Sequence, residues 1–247
     1  RGVLFAVYAP HSVGIATNEF VISQLETDPS RLYGLASLRV DEWANNEGAE
    51  LEALEEALKH PSMIGIKLAH AHQHFRMDDP DYYSIYALAA ELGAPLYLHT
   101  GPSPFPGTMS AAPYTDAAYL EEAIASFPDA TFILGHAGYD FINKELGTFE
   151  TCLSLAASYD NVYLEPSALG SNGSDPTGEN YKEIIRRVRE EGLIDRIIYG
   201  SDGPQFPGFL KSYSERTVQA MLASDYTSEE ARLVFSQNFE TVFGVSR

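Results

Sequence analysis

The 247-residue chain is 45% hydrophobic, 21% charged and 12% aromatic, which excludes a disordered or fibrous protein and supplies enough apolar material for a sizeable core. Its 16 Lys and Arg face 35 Asp and Glu, and the formal net charge of −19 repels phosphate backbones and anionic lipid surfaces, so neither a nucleic-acid nor a membrane partner is expected. The single cysteine, Cys152, cannot form an internal disulfide and no cysteine cluster exists to hold zinc, which points to a reducing, cytoplasmic setting.

In chain order, the apolar run Val3 to Ala9 reads as a strand, the amphipathic stretch Thr17 to Glu26 as a helix, and Leu32 to Leu38 as a second strand. The alternation continues with helix Glu47 to Lys59, strand Met63 to Leu68, helix Asp81 to Leu92 and strand Pro95 to His99. Helix Ala117 to Phe127, strand Thr131 to Leu134, helix Phe141 to Ser158 and strand Asn161 to Glu165 follow. The series closes with helix Glu179 to Glu191, strand Arg196 to Gly200, and helices Ser212 to Ser224 and Ser228 to Phe235. Short apolar strands separated by helices predict right-handed βαβ units and a parallel sheet buried on both faces. Neither GxGxxG nor a Walker sequence occurs, so an α/β fold of the (β/α)8 TIM-like barrel class is favoured over a doubly wound sheet. No linker divides the chain, and residues 1–247 read as a single barrel domain that shows seven strands, with one strand of the eight unaccounted for.

Barrel enzymes carry their chemistry at the carboxyl ends of strands. Five consecutive strands here end in, or carry, ionisable groups: Lys67 followed by His70, His72 and His74, then His99, His136, Glu165 and Asp202. Two imidazoles and a carboxylate from different strands match the ligand preferences of Zn²⁺, Mn²⁺ or Fe²⁺, ions that lower the pKa of bound water to about 7. Each residue also has a plainer reading. His99 and His136 could be buried structural imidazoles, Asp202 could cap a helix, and Lys67 could pair with Glu165 rather than meet substrate. His70, His72 and His74 would share one face of an extended chain, or lie in a partly solvated loop; His11 sits at the same rim, after Tyr8-Ala9-Pro10. The loop Gly101 to Pro113, stiffened by four prolines, is expected to frame a substrate entrance.

The segments Gly65-Ile66-Lys67-Leu68, Leu98-His99-Thr100-Gly101, Leu134-Gly135-His136-Ala137-Gly138, Asn161-Val162-Tyr163-Leu164-Glu165 and Tyr199-Gly200-Ser201-Asp202-Gly203-Pro204 occur in an order that resembles the second branch of the metal-dependent amidohydrolase superfamily, the group similar to aminocarboxymuconate semialdehyde decarboxylase. The resemblance implies a divalent transition metal, zinc first with manganese or iron as alternatives. It implies His99 as a metal ligand, Asp202 as a ligand or the group handling the proton of metal-bound water, and His136 as the group that polarises substrate or positions that water. The family's first strand ends in a His-x-His pair, and nothing before Val3 could supply it; His70-Ala71-His72 has the spelling but follows the strand bearing Lys67. The first strand is expected to lie outside this sequence, natural loss being the other explanation, with Val3 to Ala9 and Arg196 to Gly200 as unpaired sheet edges.

The leading expectation is therefore a metal-dependent hydrolase or non-oxidative decarboxylase of a small carboxylated or lactone-like molecule. Lys67, His70, His72, Glu165 and His11 are candidate substrate contacts, and His99, His136 and Asp202 are expected to converge in one cavity. The alternatives are a catalytically impaired relative with a binding or oligomer-forming role, and an aldolase-like barrel using Lys67 as a Schiff base. A homodimer is compatible with each.

Overall fold

Residues 1–169, 173–204 and 207–245 are described by a computed structural model. They fall into two compact units: Arg1–His99 with Ser103–Thr115 and Tyr119–Phe132, and Thr100–Pro102 with Asp116–Ala118 and Ile133–Arg247. The stretch Ser167 to Gly178, which its Gly, Ser and Pro content marks as a second functional loop, lies partly outside the described residues.

The first unit opens with β1 (Gly2–Phe5), β2 (Val7–Ala9), β3 (Gly14–Ala16), α1 (Asn18–Leu25) and β4 (Leu32–Ala36). It continues with α2 (Trp43–Leu58), β5 (Met63–Leu68), α3 (His70–Gln73), α4 (Tyr83–Leu92) and β6 (Leu96–His99), and includes α5 (Ala112–Thr115) and α6 (Glu121–Ser126). β1 pairs in parallel with β4, β4 with β5 and β5 with β6, each pair separated by at least one helix, which is the βαβ arrangement expected from the apolar runs. Burial on both faces explains why β5 and β6 read as continuous apolar segments. α1 begins where the Thr17 hydroxyl accepts the Phe20 amide at 3.2 Å. It packs on β4 through buried Val21 and Leu25, and a β-carbon at Gly34 would stand 3.0 Å from both of those side chains. Gly34 therefore sets how closely this helix approaches the strand.

The expected strand Val3 to Ala9 is two elements. Ala6 donates to the Leu35 carbonyl and closes the parallel ladder; Val7 then leaves it, and β2 forms an antiparallel ribbon with β3. The apolar run continues through that corner because Ala6 and Ala9 are both fully buried, so periodicity alone does not reveal the turn.

The second unit carries most of β7 (Phe132–Gly135), then α7 (Phe149–Ser158), β8 (Val162–Glu165), α8 (Glu179–Glu190), α9 (Phe209–Ala223), α10 (Ser228–Arg232) and α11 (Asn238–Val242). β8 neighbours β7 in the sheet order. The helix expected from Phe141 begins only at Phe149, because the Asp140 carboxylate accepts the amides of Ile142 and Asn143 at 2.8 and 2.9 Å and holds a local turn. Residues Arg196 to Gly200 do not form the expected strand. Only Ile197 bridges to Leu164, and the next amides diverge: Ile198 donates to the Leu164 carbonyl at 2.8 Å, but Tyr199 donates to the Val234 carbonyl at 3.0 Å. The Asn238 side-chain amide meets the Ile197 carbonyl at 2.7 Å. The carboxy-terminal segment thus takes groups that a strand ladder would have used. Among the described residues, no helix is long and apolar enough to cross a membrane.

Candidate functional site

In the first unit, Lys67 comes from β5 and is only 8% exposed. Its Nζ stands 4.3 Å from the Tyr97 ring centroid on the adjacent strand β6 and 5.5 Å from that of Phe5 at the end of β1, so two aromatic rings flank a buried ammonium. His99, the last residue of β6, is buried, and the His72 ring meets it edge-on at 4.8 Å between centroids. The Ser12 hydroxyl lies 3.1 Å from His72 Nδ1, and Phe105 closes on the same ring at 6.2 Å.

The triple-histidine segment is not extended. α3 is a single helical turn, and His74 ends it in a left-handed conformation, so the three rings point to different surroundings. His72 joins His99; His74 is exposed, stacks on exposed His11 at 5.1 Å and donates from Nε2 to the Gly107 carbonyl at 2.6 Å. His70 is completely buried against Phe75, with Nε2 3.1 Å from the Tyr86 hydroxyl and Nδ1 without a hydrogen-bond partner among the described residues. Burial, reinforced by the positive charge of Lys67, depresses its pKa to about 3 and keeps the ring neutral. The loop expected to frame an entrance packs on this cluster: Gly107 lies against the His11 carbonyl, and Met109 donates to the Ala71 carbonyl at 2.9 Å.

In the second unit, His136 follows β7 at 5% exposure. Three successive residues, His136, Ala137 and Gly138, have positive φ of 65°, 49° and 74°, a run that two side-chain-bearing residues enter only under constraint. The constraint is Thr100. Its amide and hydroxyl both donate to the Gly135 carbonyl, at 3.0 and 2.7 Å, and its hydroxyl accepts the Gly138 amide at 2.9 Å. Gly101, at φ +86°, lies so close to the Tyr139 backbone that a β-carbon would collide with it.

The His136 ring meets Ser167, whose hydroxyl is 3.1 Å and whose carbonyl oxygen is 3.5 Å from Nδ1. Ser167 in turn donates its amide to a Glu165 carboxylate oxygen at 3.3 Å, so Glu165, Ser167 and His136 form one linked group. Glu165 is buried, and a β-carbon at Gly200 would occupy the space of its carboxylate. Asp202 is exposed at φ 51°, and the preceding Ser201 carbonyl accepts the Ala168 amide at 3.3 Å. Of the three residues expected to converge, His99 belongs to the first unit, and His136 and Asp202 belong to the second.

Sequence reading missed Ser12, Ser167, the Tyr97 and Phe5 rings around Lys67, and the role of Thr100. Only Thr100 carried a signal, as part of the quoted His-Thr-Gly segment. Among the described residues, no group of three or more His, Cys, Asp or Glu is placed to hold a metal ion. The described side chains therefore do not fit a three-ligand centre for zinc, manganese or iron.

The sequence model of the amidohydrolase family matches residues 2–245. Protein fluG of Emericella nidulans is 28% identical over 145 residues, which is 56% of this chain; the chain spans 15% of that protein's length. Among solved structures, a TIM-barrel protein from Bordetella bronchiseptica, Bb4693, superposes with a TM-score of 0.72 at 18% identity, covering 99% of this chain and 77% of that one. A dihydroxybenzoic acid decarboxylase from Polaromonas sp. JS666, solved with bound manganese and the inhibitor 2-nitroresorcinol, superposes at 0.63 and 18% identity over 93% of this chain and 74% of its own. These likenesses, with the parallel strands and intervening helices, place the fold in the α/β, (β/α)8-barrel class.

Proposed function

The chain belongs to the amidohydrolase family, and from that premise we propose that it hydrolyses or non-oxidatively decarboxylates a small carboxylated or lactone-like molecule, with His136 as the group that moves the proton. The observation that carries this reading is the His136 turn. A buried imidazole at a strand's carboxyl end is held by Thr100 through its backbone and by Ser167 through its ring, in a backbone conformation that costs free energy to maintain. In hydrolysis such a group accepts a proton from the attacking water; in decarboxylation it delivers one to the carbon that loses carboxylate.

Lys67 offers a buried cation between two aromatic faces, suited to a planar carboxylated molecule. A solved structural relative at 18% identity is a dihydroxybenzoic acid decarboxylase with bound manganese, and that likeness supports the reading. A metal would supply an activated water or polarise the substrate. The described residues do not complete a ligand set for one.

The test is a panel of hydroxybenzoates, pyrone carboxylates and lactones, scored for CO₂ release and ring opening with and without added Zn²⁺ or Mn²⁺. Turnover of at least one compound is expected, falling roughly 100- to 10,000-fold in His136→Gln. Lys67→Met is expected to raise KM for carboxylated compounds roughly 10- to 100-fold, the equivalent of one charged hydrogen bond. Undiminished turnover in His136→Gln would overturn the assignment.

A further inference from the structure

We propose that Ser167 is a positioning residue that fixes the tautomer of His136, placing the ring proton on Nδ1 and leaving Nε2 as the basic nitrogen. This rests on the reading of His136 as the proton-moving group.

The two oxygens around Nδ1 carry the argument. The Ser167 hydroxyl, at 3.1 Å, can either donate or accept, whereas the Ser167 carbonyl oxygen, at 3.5 Å, can only accept. A proton on Nδ1 satisfies both oxygens. A lone pair on Nδ1 would face the carbonyl lone pairs inside a region where Ser167 is 0% exposed and His136 only 5%, so no bulk water would screen the repulsion. The carbonyl, which can only accept, gives the preference its direction, and the shorter hydroxyl bond supplies most of its strength, so the carbonyl alone at 3.5 Å does not hold the ring against its intrinsic preference.

Ser167 is itself held in place. Its amide bonds the Glu165 carboxylate at 3.3 Å and the Glu165 carbonyl at 2.9 Å. Tyr213 donates to the Pro166 carbonyl at 2.5 Å, and Ala168 takes a left-handed φ of 64°. On the other side, Thr100 fixes the backbone that carries the imidazole. The ring is therefore clamped at Nδ1 by a residue that does not itself need to touch substrate. Free imidazole rings favour the proton on Nε2; with the proton held on Nδ1 instead, Nε2 carries the lone pair that can accept a proton. The Ser167 bond reverses that preference before any substrate arrives.

The experiment is a long-range ¹H–¹⁵N correlation spectrum of uniformly ¹⁵N-labelled protein at neutral pH, the His136 signals being those absent from His136→Gln. The expected wild-type pattern has a protonated Nδ1 and a pyridine-like Nε2. In Ser167→Ala the pattern should shift toward protonated Nε2, and Ser167→Thr, which keeps the hydroxyl, should restore it. Loss of packing alone would broaden or move signals without exchanging the roles of the two nitrogens. A wild-type ring protonated on Nε2, or a Ser167→Ala spectrum identical to wild type, overturns the proposal. Should Ser167→Ala fail to fold, the wild-type spectrum alone still decides. None of these readings depends on turnover, so their failure is distinct from failure of the proposed activity, which the His136→Gln assay reads.

Discussion

Adding a single methyl group at Gly101 tests whether the turn after β6 depends on close backbone approach. Gly101 has φ +86°, and a β-carbon there would lie 2.9 Å from the Tyr139 carbonyl carbon and 3.0 Å from the Gly138 carbonyl carbon, besides colliding with the Tyr139 oxygen. Gly192, at the end of α8, has φ +72° with nothing within 4 Å, so it supplies the conformational penalty without the collision. The left-handed conformation costs a side-chain-bearing residue about 1–2 kcal/mol, offset by about 0.4–1 kcal/mol because alanine restricts the unfolded chain. Gly192→Ala should therefore lose between about 0 and 1.6 kcal/mol. Gly101→Ala carries the same penalty plus about 1–3 kcal/mol for overpacking against backbone that cannot swing aside as a side chain can. Equilibrium urea unfolding reads the difference: with a slope of about 2 kcal/mol per molar, the Gly101→Ala midpoint should fall about 0.5–1.5 M further than that of Gly192→Ala. Equal midpoints for the two variants would refute the close-approach argument.

Three further outcomes follow from named contacts. Thr100→Val keeps the side-chain shape but leaves the Gly138 amide without its hydroxyl partner, and should lower stability by about 1–3 kcal/mol in thermal unfolding, with Thr100→Ser recovering most of it. Gly200→Ala forces the Glu165 carboxylate aside. Because the displaced group is the end of a flexible side chain, stability should change by about 1 kcal/mol or less while turnover of any active compound falls; unchanged turnover would show that the carboxylate position is immaterial. His70 stays neutral in the folded protein down to about pH 3, whereas its unfolded counterpart gains a proton near 6.5. Between those values the unfolded chain binds more protons and stability falls with falling pH, by up to about 1.4 kcal/mol per unit from this residue. His70→Gln should flatten urea midpoints measured between pH 6.5 and 4 relative to wild type, and parallel curves would remove His70 as the cause.

The alternation of strand and helix is legible in the sequence because burial on both faces leaves β5, β6, β7 and β8 as short apolar runs that carry, end on or are followed directly by an ionisable group. That same rule picks out Lys67, His99, His136, Glu165 and Asp202 without reference to their neighbours. What pattern could not supply was the fate of backbone groups in competition between distant segments. The run after Arg196 has strand composition, but Val234 and Asn238, far along the chain, engage Tyr199 and Ile197 and end the ladder. The run through Ala6 turns a corner at a buried alanine that periodicity cannot distinguish from a straight strand. The three histidines after β5 would share a face only if extended, and one helical turn sends them to a buried tyrosine, a neighbouring imidazole and the surface. Ser167, two positions beyond Glu165, reads locally as an ordinary loop serine; its bond to a ring 31 residues earlier exists only because the loops after β7 and β8 meet in three dimensions. Local chemistry along the chain thus determines which residues end the strands. Only the tertiary structure decides which of them meet and what holds each in place, because those contacts depend on chain segments that sequence separation keeps apart.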